Sequence, residues 1–585
     1  MKSTCSFRVC LSGVFVSFAA MGASVHPLDA YVQDDSLIAW WDGEYNSLVD
    51  GKPVHKADAA QWDSLVSGAE AFKSDSLDYK AQSVVYRGKR MPTTIVSMPQ
   101  VRTTPVTVQI VARCVEEANL SQSHQLFSTW QGDWGLKDNV STFVGSAWKD
   151  GSFSAKLKTS MKNLQVNTFI FNNGGFCLYE NLDQLVNRGS LLGQPTPSTD
   201  FTIGSSRDSR CQYEYFAIRI YSRQLSKGEI QQNLVADMNR FGFCPDGFQF
   251  ASPVTRPNVP LLITQDSYVQ NGLYAQWDGI CNATNGGPHH SENLTQWADL
   301  KGNAPAFASQ DAITFESNRV SVSKSTNTSI AWLAGAPREW TMELAAYCSY
   351  NAKSIKMDTM LFGSCGGLAY YSAASKITGG APALNGQGKY QRYEITGPSV
   401  TGETPHTYSL SLYADDFATL SIDGVGTAIE KGPAKDLVDE TDSVLSLGSK
   451  QTNPSSFDYY SVRIYDRPLS AEEQYRNAFI DQVRFFGLSG DLKLIVAGEP
   501  RCTGTVTPSY GDYSGLGEGD VVACSAQTNS VKREFLGYEV QTNGVDGAWH
   551  TMLRGKESTL YLLLPKARTK VIWRWKSPGL MLILK

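Results

Sequence analysis

The chain repeats itself, and the repeat constrains its fold more than any other feature. Near the start, Tyr31-Val32-Gln33 leads to Trp41-Asp42-Gly43. Far downstream, Tyr268-Val269-Gln270 leads to Trp277-Asp278-Gly279. A Gln-Trp pair follows in each copy, Gln61-Trp62 and Gln296-Trp297. Residues 106–114 (VTVQIVARC) align with 340–348 (WTMELAAYC), and Leu126-Phe127 with Leu361-Phe362. The ends match best. Ile203-Gly204-Ser205 and the run 215–226 (YFAIRIYSRQLS) parallel Leu447-Gly448-Ser449 and the run 459–470 (YYSVRIYDRPLS). Landmarks kept in one order imply two copies of one domain, residues 31–243 and 266–488, with a common strand order.

The local pattern is β. Val106, Val108, Ile110 and Ala112 alternate with Thr107, Gln109, Val111 and Arg113, the period of a half-buried strand. By the same rule Phe216, Ile218 and Ile220 share one face, and Tyr215, Arg219 and Tyr221 the other. Asn173-Gly174-Gly175, Asn385-Gly386 and Asp423-Gly424 mark turns. Helix signals follow the two RIY strands, where Ser226 and Ser470 each precede a Glu by three residues (Glu229, Glu473), the capping-box spacing. Residues 244–265 hold Pro245, Pro253, Pro257 and Pro260 without periodicity and read as a linker. Residues 491–585 read as a separate small β-rich domain, with Leu492, Leu494 and Val496, and later Val571, Trp573 and Trp575, alternating.

Composition narrows the functions. Hydrophobic residues are 42% and charged residues 19% of the 585, which suits packed domains. With a net charge of −5 and no basic stripe, nucleic acid is not an expected partner. Lys2 and Arg8, the apolar run 9–20 and the small residues Gly22, Ala23 and Ser24 come in the order of a signal peptide, residues 1–24. Beyond it no apolar run is long enough to span a bilayer, so the mature chain is expected to be exported. Of eleven cysteines, Cys5 and Cys10 leave with the signal, and the remaining nine are an odd number. Cys502 and Cys524 fall together in the last domain and are expected to pair.

The copies resemble the laminin G-like, concanavalin A-like domains of bacterial extracellular proteins. The matching elements are the Trp-Asp-Gly strand end, the Trp297-x-Asp299-Leu300-x-Gly302-Asn303 segment, the Leu420-x-Ile422-Asp423-Gly424 hairpin, Leu-Gly-Ser, and R-I-Y-x-R-x-L-S. The resemblance implies an all-β chain of two tandem jelly-roll β-sandwiches plus the small C-terminal β domain. It also implies glycan binding or adhesion, and in many relatives a calcium ion. Asp278, Asn282, Asp299 and Asn303 offer calcium the oxygen ligands it takes. Copy one has Ser64 in place of Asp299, so any calcium is expected in copy two. The acidic pair that relatives often carry just before the R-I-Y strand is missing: Phe216-Ala217 and Tyr460-Ser461 stand there.

Catalytic patterns are absent. A retaining glycosidase needs two carboxylates about 5 Å apart, and no Glu-x-Asp-x-x-Glu strand presents them; Glu180 and Asp183 are out of phase. None of the seven histidines lies in H-E-x-x-H, and no G-x-S-x-G elbow or P-loop is present. Exposed indoles and phenols can stack on sugar rings, which makes Trp130 and Trp134 in copy one, and Tyr370 and Tyr371 in copy two, the candidate carbohydrate contacts. Trp41, Trp62, Trp277 and Trp297 recur between copies and are assigned to the cores. Arg219 and Arg463 are expected to stack on the tyrosines of their own strands. These features point to an exported, non-enzymatic protein that binds an extracellular glycan or a glycosylated protein. A cell-surface spacer, or a glycoside hydrolase with an unrecognised site, is the alternative.

Overall fold

A computed structural model describes residues 26–576 apart from a set of segments, the longest being 88–94, 98–104, 117–123, 189–199, 204–211, 332–338, 350–357, 432–443, 448–455 and 528–533. In several strands it describes the backbone alone. The segment 1–24, expected to be a signal peptide, lies outside the described residues. The fold is all-β, with two α-helices, and divides into two compact units.

Each unit contains a two-sheet sandwich, and the strand order is the same in both. In the first unit the long sheet runs Asp183–Arg188, Gly175–Glu180, Gln165–Asn172, Val106–Glu116, Gln212–Tyr221, Val84–Tyr86, Leu77–Tyr79. The opening strand Leu37–Asp42 also pairs with Gln212–Tyr221. The counterpart in the second unit runs Val425–Lys431, Phe417–Ile422, His406–Leu412, Trp340–Ser349, Ser456–Tyr465, Val320–Val322, Ile313–Phe315, with Leu273–Asp278 on Ser456–Tyr465. The facing sheet is six-stranded in each, and its first four strands form an antiparallel meander. Trp41 and Trp62 in one sandwich, and Trp277 and Trp297 in the other, are fully buried between the sheets.

The closing strands are not simple alternations. A β-bulge shifts the register between Tyr215 and Ala217, and again between Tyr459 and Ser461. The extra residue reverses the phase of everything after it. Tyr213, Tyr215, Ile218 and Ile220 therefore all face the sandwich core, while Phe216 and Arg219 face away from it. The expectation that Tyr215 and Arg219 share a face is corrected by this bulge.

Behind each closing strand lies a helix, α1 (Lys227–Phe241) or α2 (Ala471–Arg484). Both begin with the capping box read from the sequence. The Ser226 and Ser470 hydroxyls each accept the backbone N–H three residues on, at 3.3 Å, and the Glu229 and Glu473 carboxylates accept back at 2.7 and 2.9 Å. One buried network pins each helix. The Arg219 guanidinium donates to both oxygens of Asp237 on α1, and Arg463 does the same to Asp481 on α2 at 2.8 and 2.7 Å. Tyr31 and Tyr268 donate to these carboxylates at 2.8 and 2.7 Å. The two arginines lie over those same rings, 4.6 and 4.1 Å from their centroids. Stacking thus falls on the tyrosine of the opening Tyr-Val-Gln, not on the strand's own tyrosines as expected. Asn233 and Asn477 complete the network, each accepting the N–H of the following Val32 or Val269 at 2.9 Å.

The outer face of each helix is apolar and covered. In the first unit Leu234, Val235, Met238 and Phe241 pack with Val521, Tyr561 and Leu563 of the C-terminal segment and with Phe248 and Phe250. The Asn239 amide exchanges two hydrogen bonds with the backbone of Tyr561, both 2.7 Å. The C-terminal segment is itself a small sandwich. One sheet runs Val506–Thr507, Val521–Ala526, Thr559–Leu563; in the other, Leu494–Glu499, Thr569–Trp575, Phe535–Asn543 and Trp549–Gly555 are successive neighbours. In the second unit the Pro-rich segment does the covering. Val254, Val259 and Ile263 pack on Phe479, Ile480 and Val483, and Tyr475 donates to the carbonyl of Thr255 at 2.7 Å. The short piece Gly511–Leu516 belongs to this unit, with Val254 and Thr255 paired to Ser514 and Tyr513.

Removing one partner of a buried ion pair strands the other without solvent, at about 3–5 kcal/mol. Asp237→Ala is therefore expected to lower the unfolding free energy of the first unit by that amount, read from the shift of its denaturant midpoint. Ser226→Ala, which removes only a cap, is expected to cost about 1 kcal/mol. Equal, small effects in chemical denaturation would contradict the pinning role of the Arg219–Asp237 pair.

Candidate functional site

The long sheet of each sandwich has its outer face under a helix, and no helix residue belongs to the core cluster between the two sheets. In the first unit the six-stranded sheet runs Gly151–Lys156, Thr142–Ala147, Gly132–Lys137, His124–Thr129, Asp200–Ile203, Ile95–Ser97. In the second it runs Tyr390–Ser399, Lys376–Leu384, Gly366–Tyr371, Asp358–Gly363, Val444–Leu447, Thr328–Ala331. The candidate aromatic residues fall on the same strand of both. Trp134 lies in Gly132–Lys137, in register with Phe127 on one side and Gly145 on the other. Tyr370 and Tyr371 end Gly366–Tyr371, opposite Ile377 and Lys376. Their side chains, and the whole of Trp130, lie outside the described residues.

The four oxygen-bearing residues considered for calcium come together only as turn and helix partners. Asp278 is fully buried. One of its oxygens accepts the N–H groups of Ile280 and Cys281 at 3.0 and 2.8 Å, and Arg484 of α2 grips both. Asp42 and Arg240 repeat this pair in copy one at 2.9 Å. Asn282 closes a loop with the backbone of Ser291, as Asn46 does with Lys56. The Asp299 carboxylate accepts four backbone N–H groups, from Gln276, Lys301, Asn303 and Ala304, at 2.8–3.0 Å. Asn303 donates to the carbonyl of Tyr274. A cation at Asp278 would have to displace the guanidinium of Arg484. The exchange of Asp299 for Ser64 has a structural reason: the Ser64 hydroxyl accepts the N–H groups of Trp40 and Val66, both at 3.2 Å, capping the same turn with fewer bonds. Among the described residues no cluster of three or more His, Cys, Asp or Glu side chains is placed to hold a metal ion.

Other polar candidates also have structural partners. The buried Glu180 carboxylate accepts the N–H groups of Lys158 and Thr159, and burial raises its pKa. His290 donates from Nδ1 to the carbonyl of Ile280, 3.0 Å away. Cys524 is a free, buried thiol, pushed up to about 12 by burial; its expected partner Cys502 lies outside the described residues. An acidic residue stands four positions before Ile218 and Val462 in each copy. Glu214 accepts from Ser83 and Arg113, both at 2.6 Å, and Asp458 from Ser321, also at 2.6 Å. Glu214 and Asp458 each precede the aligned tyrosines Tyr215 and Tyr459 by one residue, so the repeat itself pairs them.

The two buried networks differ in charge at one point. Gln109 of the first network is Glu343 in the second. Glu343 accepts from Arg463 and Asn477 at 2.9 and 2.8 Å, yet its other oxygen is buried with no hydrogen-bond partner. Burial raises its carboxyl above the ordinary range despite Arg463.

Neither a protein-family model nor a curated protein matches the chain. Among solved structures, the binding domain of botulinum neurotoxin serotype G is similar at 11% identity, over 49% of this chain and 81% of that one, with a TM-score of 0.29. The receptor-binding domain of botulinum neurotoxin D is similar at 11% identity, over 50% and 79%, with a TM-score of 0.29. A sialidase from Trypanosoma rangeli is similar at 12% identity, over 72% and 66%, with a TM-score of 0.27. These likenesses assign no family.

Two outcomes are expected at these residues. A folded-state pKa raised at Glu343 contributes stability in full below the unfolded carboxyl value and loses it as pH rises through the folded value. Glu343→Gln should therefore melt with the wild type in acid and above it at pH 8; a variant less stable at pH 8 would refute the assignment. Chelation with EDTA is expected to leave the melting curve unchanged, because the Asp278 and Asp299 oxygens are already engaged by internal donors.

Proposed function

We propose that the protein is an exported glycan-binding or adhesion protein without catalytic activity, built on two laminin G-like, concanavalin A-like sandwiches. The observation that carries this reading is that Trp134, and Tyr370 with Tyr371, fall on the same strand of the six-stranded sheet in two copies of one fold. A broad sheet on a rigid scaffold offers a platform for an extended ligand, and aromatic side chains suit the C–H faces of sugar rings. Two weak sites on one chain raise overall affinity through effective concentration when both are engaged. Among the described residues no helix is long and apolar enough to cross a membrane. The carboxylates described above hold backbone amides or guanidinium groups, which favours binding over hydrolysis. The ligand in this reading is an extracellular glycan or a glycosylated protein.

The test is a glycan array probed with the full chain, followed by titration of the strongest ligand. Trp134→Ala, or the pair Tyr370→Ala/Tyr371→Ala, is expected to weaken binding at least about tenfold, in line with about 1.4 kcal/mol or more for a lost stacking contact. Wild-type protein retained by no glycan would favour the spacer reading. Release of reducing sugar would replace both with an enzyme.

A further inference from the structure

The C-terminal module carries a second surface that the sandwich reading leaves unused. In Thr569–Trp575 the residues Val571, Trp573 and Trp575 are buried in the module's core. Alternation therefore puts Lys570, Ile572 and Arg574 on the opposite face, continued by the exposed Arg568 just before the strand. The neighbouring strand Phe535–Asn543 turns Tyr538 and Val540 inward and Glu539 outward.

This face is ordered by its own contacts. Glu539 is almost wholly enclosed. Its carboxylate accepts from Thr551 at 2.6 Å and Gln541 at 2.9 Å, and it meets Arg554 at 3.3 Å and Arg574 closer still. The side chains of Arg554 and Arg574 remain 58% and 43% exposed, so both present charge to solvent around an anion already saturated with donors. Lys570 sets its ammonium over the indole of Trp549, 4.1 Å from the ring centroid. Among the described residues neither Lys570 nor Arg568 has a carboxylate within ion-pair distance; Arg574 also meets Glu499 at 3.4 Å. The result is a cationic row roughly 20 Å long from residue 568 to 574 at strand rise, on a chain whose net charge is −5.

We infer that this open sheet face binds an acidic polysaccharide, its carboxylate or sulfate groups meeting Arg568, Lys570 and Arg554 and one sugar ring lying at Trp549. Charge complementarity selects an anion. A single indole among amide and hydroxyl groups suits a sugar chain better than nucleic acid, whose unpaired bases call for several stacking rings. A protein partner would be expected to meet an apolar centre, and the centre here is Glu539 with its guanidinium groups.

The experiment uses the full chain and two probes, alginate and heparin oligosaccharides, with dextran as the neutral control. Wild type is expected to bind at least one acidic probe, to ignore dextran, and to weaken steeply as salt rises. Arg568→Ala/Lys570→Ala is expected to lower affinity at least about tenfold and to flatten the salt dependence. Its melting temperature should be unchanged, since both side chains are peripheral to the core. Trp549→Ala should weaken binding and Trp549→Phe should restore part of it. Trp134→Ala should leave this binding intact, which separates it from the sandwich site. The inference is overturned if neither acidic probe binds at low salt or if the double variant binds like wild type. Tighter binding of single-stranded DNA or of anionic phosphatidylserine vesicles than of the oligosaccharides would also overturn it.

Discussion

The buried arginine–aspartate pair beneath each helix is the contact on which each sandwich's assembly depends. Arg219 with Asp237, and Arg463 with Asp481, are wholly enclosed. Such pairs add little net stability over an apolar filling, but breaking one is costly, so they specify an arrangement more than they strengthen it. Each joins three stretches distant in sequence: the opening Tyr-Val-Gln, the closing strand and the helix after it. Tyr31 or Tyr268 supplies both a hydroxyl to the carboxylate and a ring to the guanidinium. The bulge in the closing strand is what turns the arginine toward the helix. Without that extra residue the arginine would share the phase of the core-facing tyrosines before it.

Pinning the helix on one sheet has consequences for everything outside the sandwich. A helix with one apolar face against the sheet and another facing out needs a second cover. The first unit draws that cover from the C-terminal module, through Tyr561 and Leu563 on α1. The second draws it from the Pro-rich segment, through Val259 and Ile263 on α2. A stretch whose composition suggests a free tether is in part a packing element, because Val254, Val259 and Ile263 alternate with its prolines.

The copies have diverged where packing tolerates it. Ser64 performs with two hydrogen bonds the turn closure that Asp299 performs with four. Gln109 and Glu343 occupy one buried place with similar shape and different charge. Neither exchange implies a metal, since the atoms concerned face backbone amides and guanidinium groups. Sequence comparison with calcium-holding domains sees the same residue types and cannot see what they face.

The repeat, the period-2 runs, the turn pairs and the capping boxes lay open in the amino-acid sequence, since each is local and depends on spacing alone. From them the all-β class, the duplicated sandwich, its buried tryptophans and the two helix starts were legible. So were the candidate aromatic residues, though not that Trp134 and Tyr370 would occupy equivalent strands. What only the tertiary structure decided depends on non-local contact. Asp278 faces Arg484 across 206 residues, Arg463 finds Tyr268, and Asn239 meets Tyr561 across 322. The bulge belongs to the same class, because one unpaired residue reverses a strand's phase without leaving any mark in its composition. So does the basic face of the C-terminal module: alternation alone places Lys570 and Arg574 on one side, but only the packed core shows that this side is the open one.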